Sequence, residues 1–403
     1  MATEPESSQQ EDIVEPPKDF SLVLGGPLFQ LLRRSRLTDN DLNLLKRRLI
    51  AILLLAWLPL LILSIVQGNA WSGVSVPFIK DIGVHIRFLA VMPMLIGAEL
   101  IVHRRMHILI SNFLDRKLIP EADMARFKAA IDSALKLRNS VVSEVLMLVF
   151  VYAFGILVVW KSYIGLNIDT WYAGIVDGRR DLNLAGYWLV LVSLPLFQFL
   201  IIRWYFRLFI WARFLWQVSR IKLNLIPTHP DRLGGLGFLT NIIYAFSLLA
   251  MAHGALLAAL IANRVFFTGA RFIDFKYDIV LLLIYLFIIL ILPLVVFSAQ
   301  LAACKREGLR EYGELAQRYV RAYDQKWLRG GASKQEQFIG SGDIQSLADL
   351  GNGFEVIANM RFLPVSKQTL MQLAGWTLLP ILPVLLTTIP LDDLLKRLFS
   401  LIF

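Results

Sequence analysis

"IVLLLIYLFIILILPLVVFSAQL" (residues 279–301) runs for twenty-three residues without a formal charge. As a helix rising 1.5 Å per residue, it is long enough to cross the ~30 Å hydrocarbon core of a bilayer. Six further apolar segments lie near 49–66, 86–102, 141–159, 184–202, 239–261 and 371–389. The composition agrees: 57% of residues are hydrophobic and 18% charged, where a soluble domain is nearer half and a quarter. The expected fold class is all-α and polytopic, with about seven transmembrane helices.

The residues flanking these segments set the orientation. With the N-terminus inside, the inner segments hold 31 of the 41 Lys and Arg residues and the outer segments 10. That bias predicts a cytoplasmic N-terminus and, with seven spans, an external C-terminus. The last segment carries Pro380 and Pro383 and ends at Pro390. If it is re-entrant, six spans remain and the tail stays inside.

The net charge of +10 would suggest nucleic acid in a soluble protein. Here the basic residues flank apolar blocks, so the expected partner is the lipid bilayer and no nucleic acid. Cys304 is the only cysteine, which excludes an intrachain disulfide and a Cys-based zinc site. No motif implies a cofactor, and no nucleophile elbow or triad context implies an enzyme.

The chain divides accordingly. Residues 1–19 read as a disordered acidic tail and 20–48 as a cytoplasmic juxtamembrane segment. Spans one to six and their cytoplasmic extensions occupy 49–301. A cytoplasmic helical region covers 302–370, the last span 371–389, and an interfacial amphipathic tail 390–403. In that tail Asp392 and Asp393 precede Lys396 and Arg397, matching a helix dipole.

The extensions carry their own expectations. A helix beginning at Pro120 runs directly into the third span. The fourth continues from 184 to 222, about 58 Å as one helix. Its lower half sets Arg203, Arg207 and Arg213 among aromatic residues, read as snorkelling arginines of an interfacial and packed cytoplasmic stem. The sixth flows into "KREGLREYGELAQRYVRAYDQKWLR" (305–329). After a break at 330–342, "SGDIQSLADLGNGFEVIANMR" (341–361) reads as short amphipathic helices, with Ser341 or Asp343 as N-cap.

"GGPLFQLLRR" (25–34), "AWLPLLIL" (56–63), "PTHPDRLGGLGFL" (227–239), "DIQSLADLGNGFEVI" (343–357) and "TLLPILPVLLTTIPLDDLLKRL" (377–398) together resemble a group of bacterial polytopic inner-membrane proteins. The resemblance spans nearly the whole chain past residue 25. It implies a bacterial inner-membrane location and supplies no catalytic residues. In layout alone the chain is similar to insect chemoreceptor channels, with seven spans, an inner N-terminus and long cytoplasmic helices.

The candidate chemistry centres on "IPTHPDRLGGLGFLTN" (226–241). Each glycine inside a helix costs roughly 1 kcal/mol relative to alanine, so Gly234, Gly235 and Gly237 mark irregular or closely packed backbone. A phosphate loop is excluded because no Lys-Ser/Thr pair follows the glycines. Three readings compete. In the first, Asp231 caps the fifth span in a turn stiffened by Pro227 and Pro230. In the second, His229, Asp231 and Arg232 mark an ion or ligand site at a cytoplasmic mouth. In the third, the glycines form a hinge at a gate.

Glu99, His103 and His107 follow at i, i+4 and i+8, a weak metal-ligand spacing with Arg104 and Arg105 beside it. Glu144 and His253 stand inside apolar segments, where ionisable groups are functional candidates by default. Pro59, Pro93, Pro195, Pro293, Pro380 and Pro383 lie within spans and free backbone carbonyls. These features favour an oligomeric channel or passive permease. The alternative is a non-transporting regulator that binds a soluble protein through its cytoplasmic helices.

Overall fold

The computed structural model describes residues 21–27, 29–30, 45–155, 169–176, 179–333 and 335–388. The expectations for 1–19 and 390–403, and parts of those for 20–48 and 141–159, lie outside the described residues. The described chain is helical apart from one hairpin. Among the described residues six helices are long and apolar enough to cross a membrane: α1 (Leu45–Val66), α2 (Ile82–Asp115), α5 (Leu184–Val218), α6 (Ser247–Thr268), α7 (Phe272–Leu328) and α9 (Lys367–Leu386). Between them lie α3 (Met124–Arg138) and the shorter apolar α4 (Val141–Ala153), and α8 (Gly342–Ala358) precedes α9.

Prolines shape these helices from within. Pro59 lacks an N–H, so the carbonyl of Leu55 loses its intrahelical partner. The indole N–H of Trp188 replaces it at 3.2 Å, and Ser193 Oγ donates to the neighbouring Ala56 carbonyl at 2.7 Å. Thus α5 ties itself to α1 through a break that proline created. Pro93 and Pro195 each follow a π turn, at Ile86–Val91 and Leu189–Ser193. Pro293 lies in a 3-10 stretch, Leu292–Phe297, as Pro380 does in Leu379–Ile381. Each is a change of helical winding inside a continuous helix.

Several boundaries differ from the sequence reading. The helix begun at Pro120 does not run into the next segment. It ends at Arg138, and Ser140 caps α4 by accepting the Ser143 N–H at 3.2 Å. Helix α5 ends at Val218, and Gln300 of α7 binds the chain beyond it, donating to the carbonyls of Ser219 and Ile221. The fifth segment starts later than expected, because Leu236–Ala245 forms a separate short helix before α6. Residues 342–358 form one helix, and Ser341 precedes it without a capping side-chain bond.

The hairpin pairs β1 (Ala173–Val176) with β2 (Arg179–Leu182) antiparallel. Sequence reading placed no strand here. The available signal was Asp177-Gly178, a dipeptide typical of tight hairpins. Trp171 beside it donates to Asp81 at 3.0 Å, the residue that caps the start of α2.

The main core is an apolar cluster across α1 to α3, α5 to α7 and α9, with Trp171, Trp204, Trp211 and Phe214 fully buried, while Met147 and Val151 of α4 pack separately against Phe199. Helices α6 and α9 meet most closely at Gly254. A Cβ there would fall 1.9 Å from the Thr377 carbonyl oxygen, so only glycine fits.

Candidate functional site

Two carboxylates organise their surroundings in different ways. Asp231 serves a loop, and Glu99 serves the helices.

The backbone from 226 to 241 wraps around Asp231. Its Oδ1 accepts the N–H groups of Leu233 (2.7 Å) and Gly235 (3.2 Å), and Oδ2 accepts that of Gly237 (2.8 Å). His229 Nδ1 lies 2.9 Å from Oδ1. That nitrogen accepts the Asp231 N–H at 3.3 Å. The glycines are required by this geometry. Gly234 and Gly235 have φ of +63° and +100°, where side chains are strained. A Cβ on Gly237 would sit 2.8 Å from the Asp231 carboxylate. Arg232 accepts a left-handed φ of +57°.

The loop also anchors its neighbours. Arg116 donates to the Gly235 carbonyl at 2.9 Å, and Arg361 Nη2 to the Asp231 carbonyl at 3.2 Å. Pro227 packs against Gly308 of α7 so closely that a Cβ there would lie 2.6 Å away. His229, Asp231, Gly234, Gly235 and Gly237 are therefore brought together. Arg232 joins through its backbone carbonyl, which accepts from the Arg361 N–H at 2.9 Å.

Glu99 lies 2% exposed within α2. Its Oε2 accepts from Arg48 of α1. Its Oε1 lies 2.7 Å from Arg207 Nη2 and 3.7 Å from Arg203 Nη1, both on α5. The Arg207 contact is a close ion pair set off the line of a hydrogen bond, since Arg207 Nη1 and Nη2 both lack a hydrogen-bond partner among the described residues. The guanidinium of Arg207 also stacks 4.8 Å from the Trp204 ring. Glu144 of α4 approaches Arg203 at 4.0 Å. One acidic residue thus joins α1, α2 and α5, and a second extends the cluster to α4.

This arrangement corrects the reading of Arg203 and Arg207 as interfacial, snorkelling residues. They are 6% and 3% exposed and paired inside the bundle. Sequence reasoning missed Arg48 entirely. The signal was Arg203 and Arg207 at i, i+4 on one face of an apolar helix, which demands a buried acidic partner.

The metal spacing is not realised. Glu99 is taken by arginines, and His103 Nδ1 lies 2.9 Å from Ser21 Oγ. His107 is half-buried on the same helix. Among the described residues no group of three or more His, Cys, Asp or Glu could hold a metal ion. His253 stands apart in α6, with Nδ1 2.7 Å from the Leu249 carbonyl and Nε2 2.6 Å from the Tyr205 hydroxyl. The carbonyl fixes the proton on Nδ1, so the tyrosine donates to Nε2.

The segment 21–26 covers the charge cluster. Arg138 donates to the Ser21 carbonyl, and Asn139 Oδ1 accepts the Gly26 N–H at 3.1 Å. Burial, with the nearby Arg207 charge, pushes Arg138 down to about 10. An apolar cavity of about 520 Å³ opens between α1, α4 and α5, with Leu55, Tyr152 and Phe199 in its walls and Glu144 as the carboxylate among its lining residues.

Comparison with protein-family models, curated proteins and solved structures returns no match.

Proposed function

We propose that the chain is an integral protein of a bacterial inner membrane, with its N-terminus in the cytoplasm. We further propose that it acts as an oligomeric channel or passive permease for ions or small solutes. The observation that carries this reading is the Glu99 cluster. Charges taken out of water at the edge of an apolar bundle are costly, and buried ion pairs are weak sources of stability. Their best-attested use is to hold one arrangement of helices against another, and intramembrane charges mark ion pathways and switches. Here a single carboxylate holds three guanidiniums from two neighbouring helices, beside a cavity that ends at Glu144. In this reading the cluster is the inner gate.

Reconstitution of the purified protein in planar bilayers and in solute-loaded vesicles tests the proposal. Wild-type conductance or flux well above that of protein-free membranes supports it. Wild-type protein that passes neither ions nor small solutes across a range of voltages overturns it.

A second reading has its own support. The distal half of α7 and the start of α8 expose Leu315, Val320, Leu328 and Ile344. Such a surface suits a regulator that binds a soluble protein. A stoichiometric partner that is lost on replacing these four residues with serine, with no flux in vesicles, would favour it over conduction.

A further inference from the structure

We propose that the charge cluster holds a small monovalent anion, a halide in size, between Arg138, Arg203 and Arg207. The inference goes beyond conduction, because the site would bind its ion whether or not the protein transports.

The first observation is a charge count. Among the described residues the cluster brings together four guanidiniums, of Arg48, Arg138, Arg203 and Arg207, and two carboxylates, of Glu99 and Glu144. Arg48, Arg203 and Arg207 are more than nine-tenths buried. Excess positive charge buried in an apolar bundle is expensive unless a counter-ion accompanies it.

The second observation is a space at the right place. A partly open cavity of about 10 Å³ lies where Arg138, Arg203 and Arg207 converge, lined also by Leu22, Gly25, Phe206 and Glu144. That volume is on the scale that accommodates one water-sized sphere. Phosphate and sulfate are too large for it. Glu144 opposes an anion but is turned toward Arg203 at 4.0 Å.

The third observation is an unmet donor. Arg207 lines this cavity, and its Nη1 has no hydrogen-bond partner among the described residues. A guanidinium carries five N–H groups and accepts nothing. An anion in the cavity would take that donor. Arg138 is separately crowded by Arg207, which together with burial pushes it down to about 10. Rings of arginine are how anion-selective proteins present a site to a small ion.

The segment 21–26 completes the site as its cover. Gly25 has φ of +143°, and a Cβ there would lie 2.4 Å from Asn139 Oδ1 and 2.6 Å from Arg138 Nε. The chain can cross over the arginines at this distance only as glycine.

The test uses the full chain in mild detergent. Chloride, bromide or fluoride replaces gluconate at constant ionic strength, and unfolding temperature is followed by tryptophan fluorescence. Wild type is expected to rise by a few degrees with a saturable dependence on halide. Arg207→Gln and Arg138→Gln should lose most of that rise. Arg207 also holds Glu99, so Arg207→Gln could fail to fold. Arg138, whose polar partners are Ser21 and Asn139, then decides with the wild-type series. A wild type indifferent to halide, or an Arg138→Gln protein that responds as wild type does, overturns the proposal and assigns the counter-charge to the chain itself. Because the readout is binding, silence in a bilayer experiment leaves this inference standing.

Discussion

Asp231 and Glu99 solve the same problem in opposite ways. Each is a carboxylate held by several donors, Glu99 buried and Asp231 half-buried. Asp231 is neutralised by backbone dipoles from Leu233, Gly235 and Gly237, all within six residues of it. Glu99 is neutralised by full charges from Arg48, Arg203 and Arg207, on other helices and at least 51 positions away. The first arrangement forms as soon as a short loop closes. The second forms only when α1, α2 and α5 have assembled. Asp231 therefore fixes local shape, and Glu99 fixes how helices stand relative to one another.

The sharpest way to break this comparison is to remove the charge from each carboxylate. Glu99→Gln leaves three guanidiniums buried around a neutral amide. The expected loss is about 3–5 kcal/mol, the cost of stranding a buried charge. It should appear as a large fall in unfolding temperature and loss of a monodisperse peak in detergent. Adding Arg207→Gln should restore part of the loss, because one stranded charge goes with it. A Glu99→Gln protein that melts within a degree of wild type would show that the cluster carries no such burden.

Asp231→Asn should cost less, about 1–3 kcal/mol. The amide keeps one acceptor oxygen but turns an NH₂ group toward backbone donors. No charge is stranded inside the bundle, since Arg116 is 3.9 Å away and partly exposed. The loop should open locally, with faster amide exchange at Leu233, Gly235 and Gly237, while α1, α2 and α5 keep their protection. Exchange that rises equally through those helices would erase the distinction between the two carboxylates.

Gly235→Ala isolates the backbone part of the loop. A side chain at φ of +100° is strained, and the expected cost is about 1–2 kcal/mol. Gly351→Ala, in α8 with nothing near its missing side chain, is the control and should be neutral or stabilising. Thermal unfolding of the pair separates loop strain from any general effect of adding a methyl group.

The contrast also explains what the sequence made legible. Runs of apolar residues fix helix length directly, and six of the seven expected segments became helices long enough to cross a membrane. Prolines marked several of the places where a helix changes winding, although α7 turns π at Asp324–Leu328 without one. The glycines at 234, 235 and 237 announced irregular backbone because their cost is intrinsic. The partners of Glu99 were invisible for the opposite reason. Arg203 and Arg207 look interfacial when viewed on their own helix, and only three-dimensional packing brings Glu99 to them. The Asn139–Ser140 break was similarly hidden, since no glycine or proline marks it and Ser140 caps α4 within two residues of the end of α3.

The smallest expected effect concerns a third carboxylate, intermediate between the other two. Asp343, at the start of α8, accepts from Lys326 Nζ and Trp327 Nε1 of α7, each at 2.8 Å. The partners are non-local, as for Glu99, but a third of each charged side chain is exposed. The Lys326 hydrogen bond, then that of Trp327, holds its carboxyl below the ordinary 3.8. A carboxyl depressed in the folded state adds stability above its unfolded value and loses it as pH falls through the folded value. The α7–α8 contact should therefore be at full strength at neutral pH and weaken below about pH 4, modestly and with screening by salt. Amide exchange in α8, corrected for its intrinsic pH dependence, is the measurement. Wild type should lose protection on acidification, and Asp343→Asn should show a lower, flatter profile. If the variant keeps the wild-type pH response, another group carries it, and exposure has reduced this carboxylate to a bystander where burial makes Glu99 decisive.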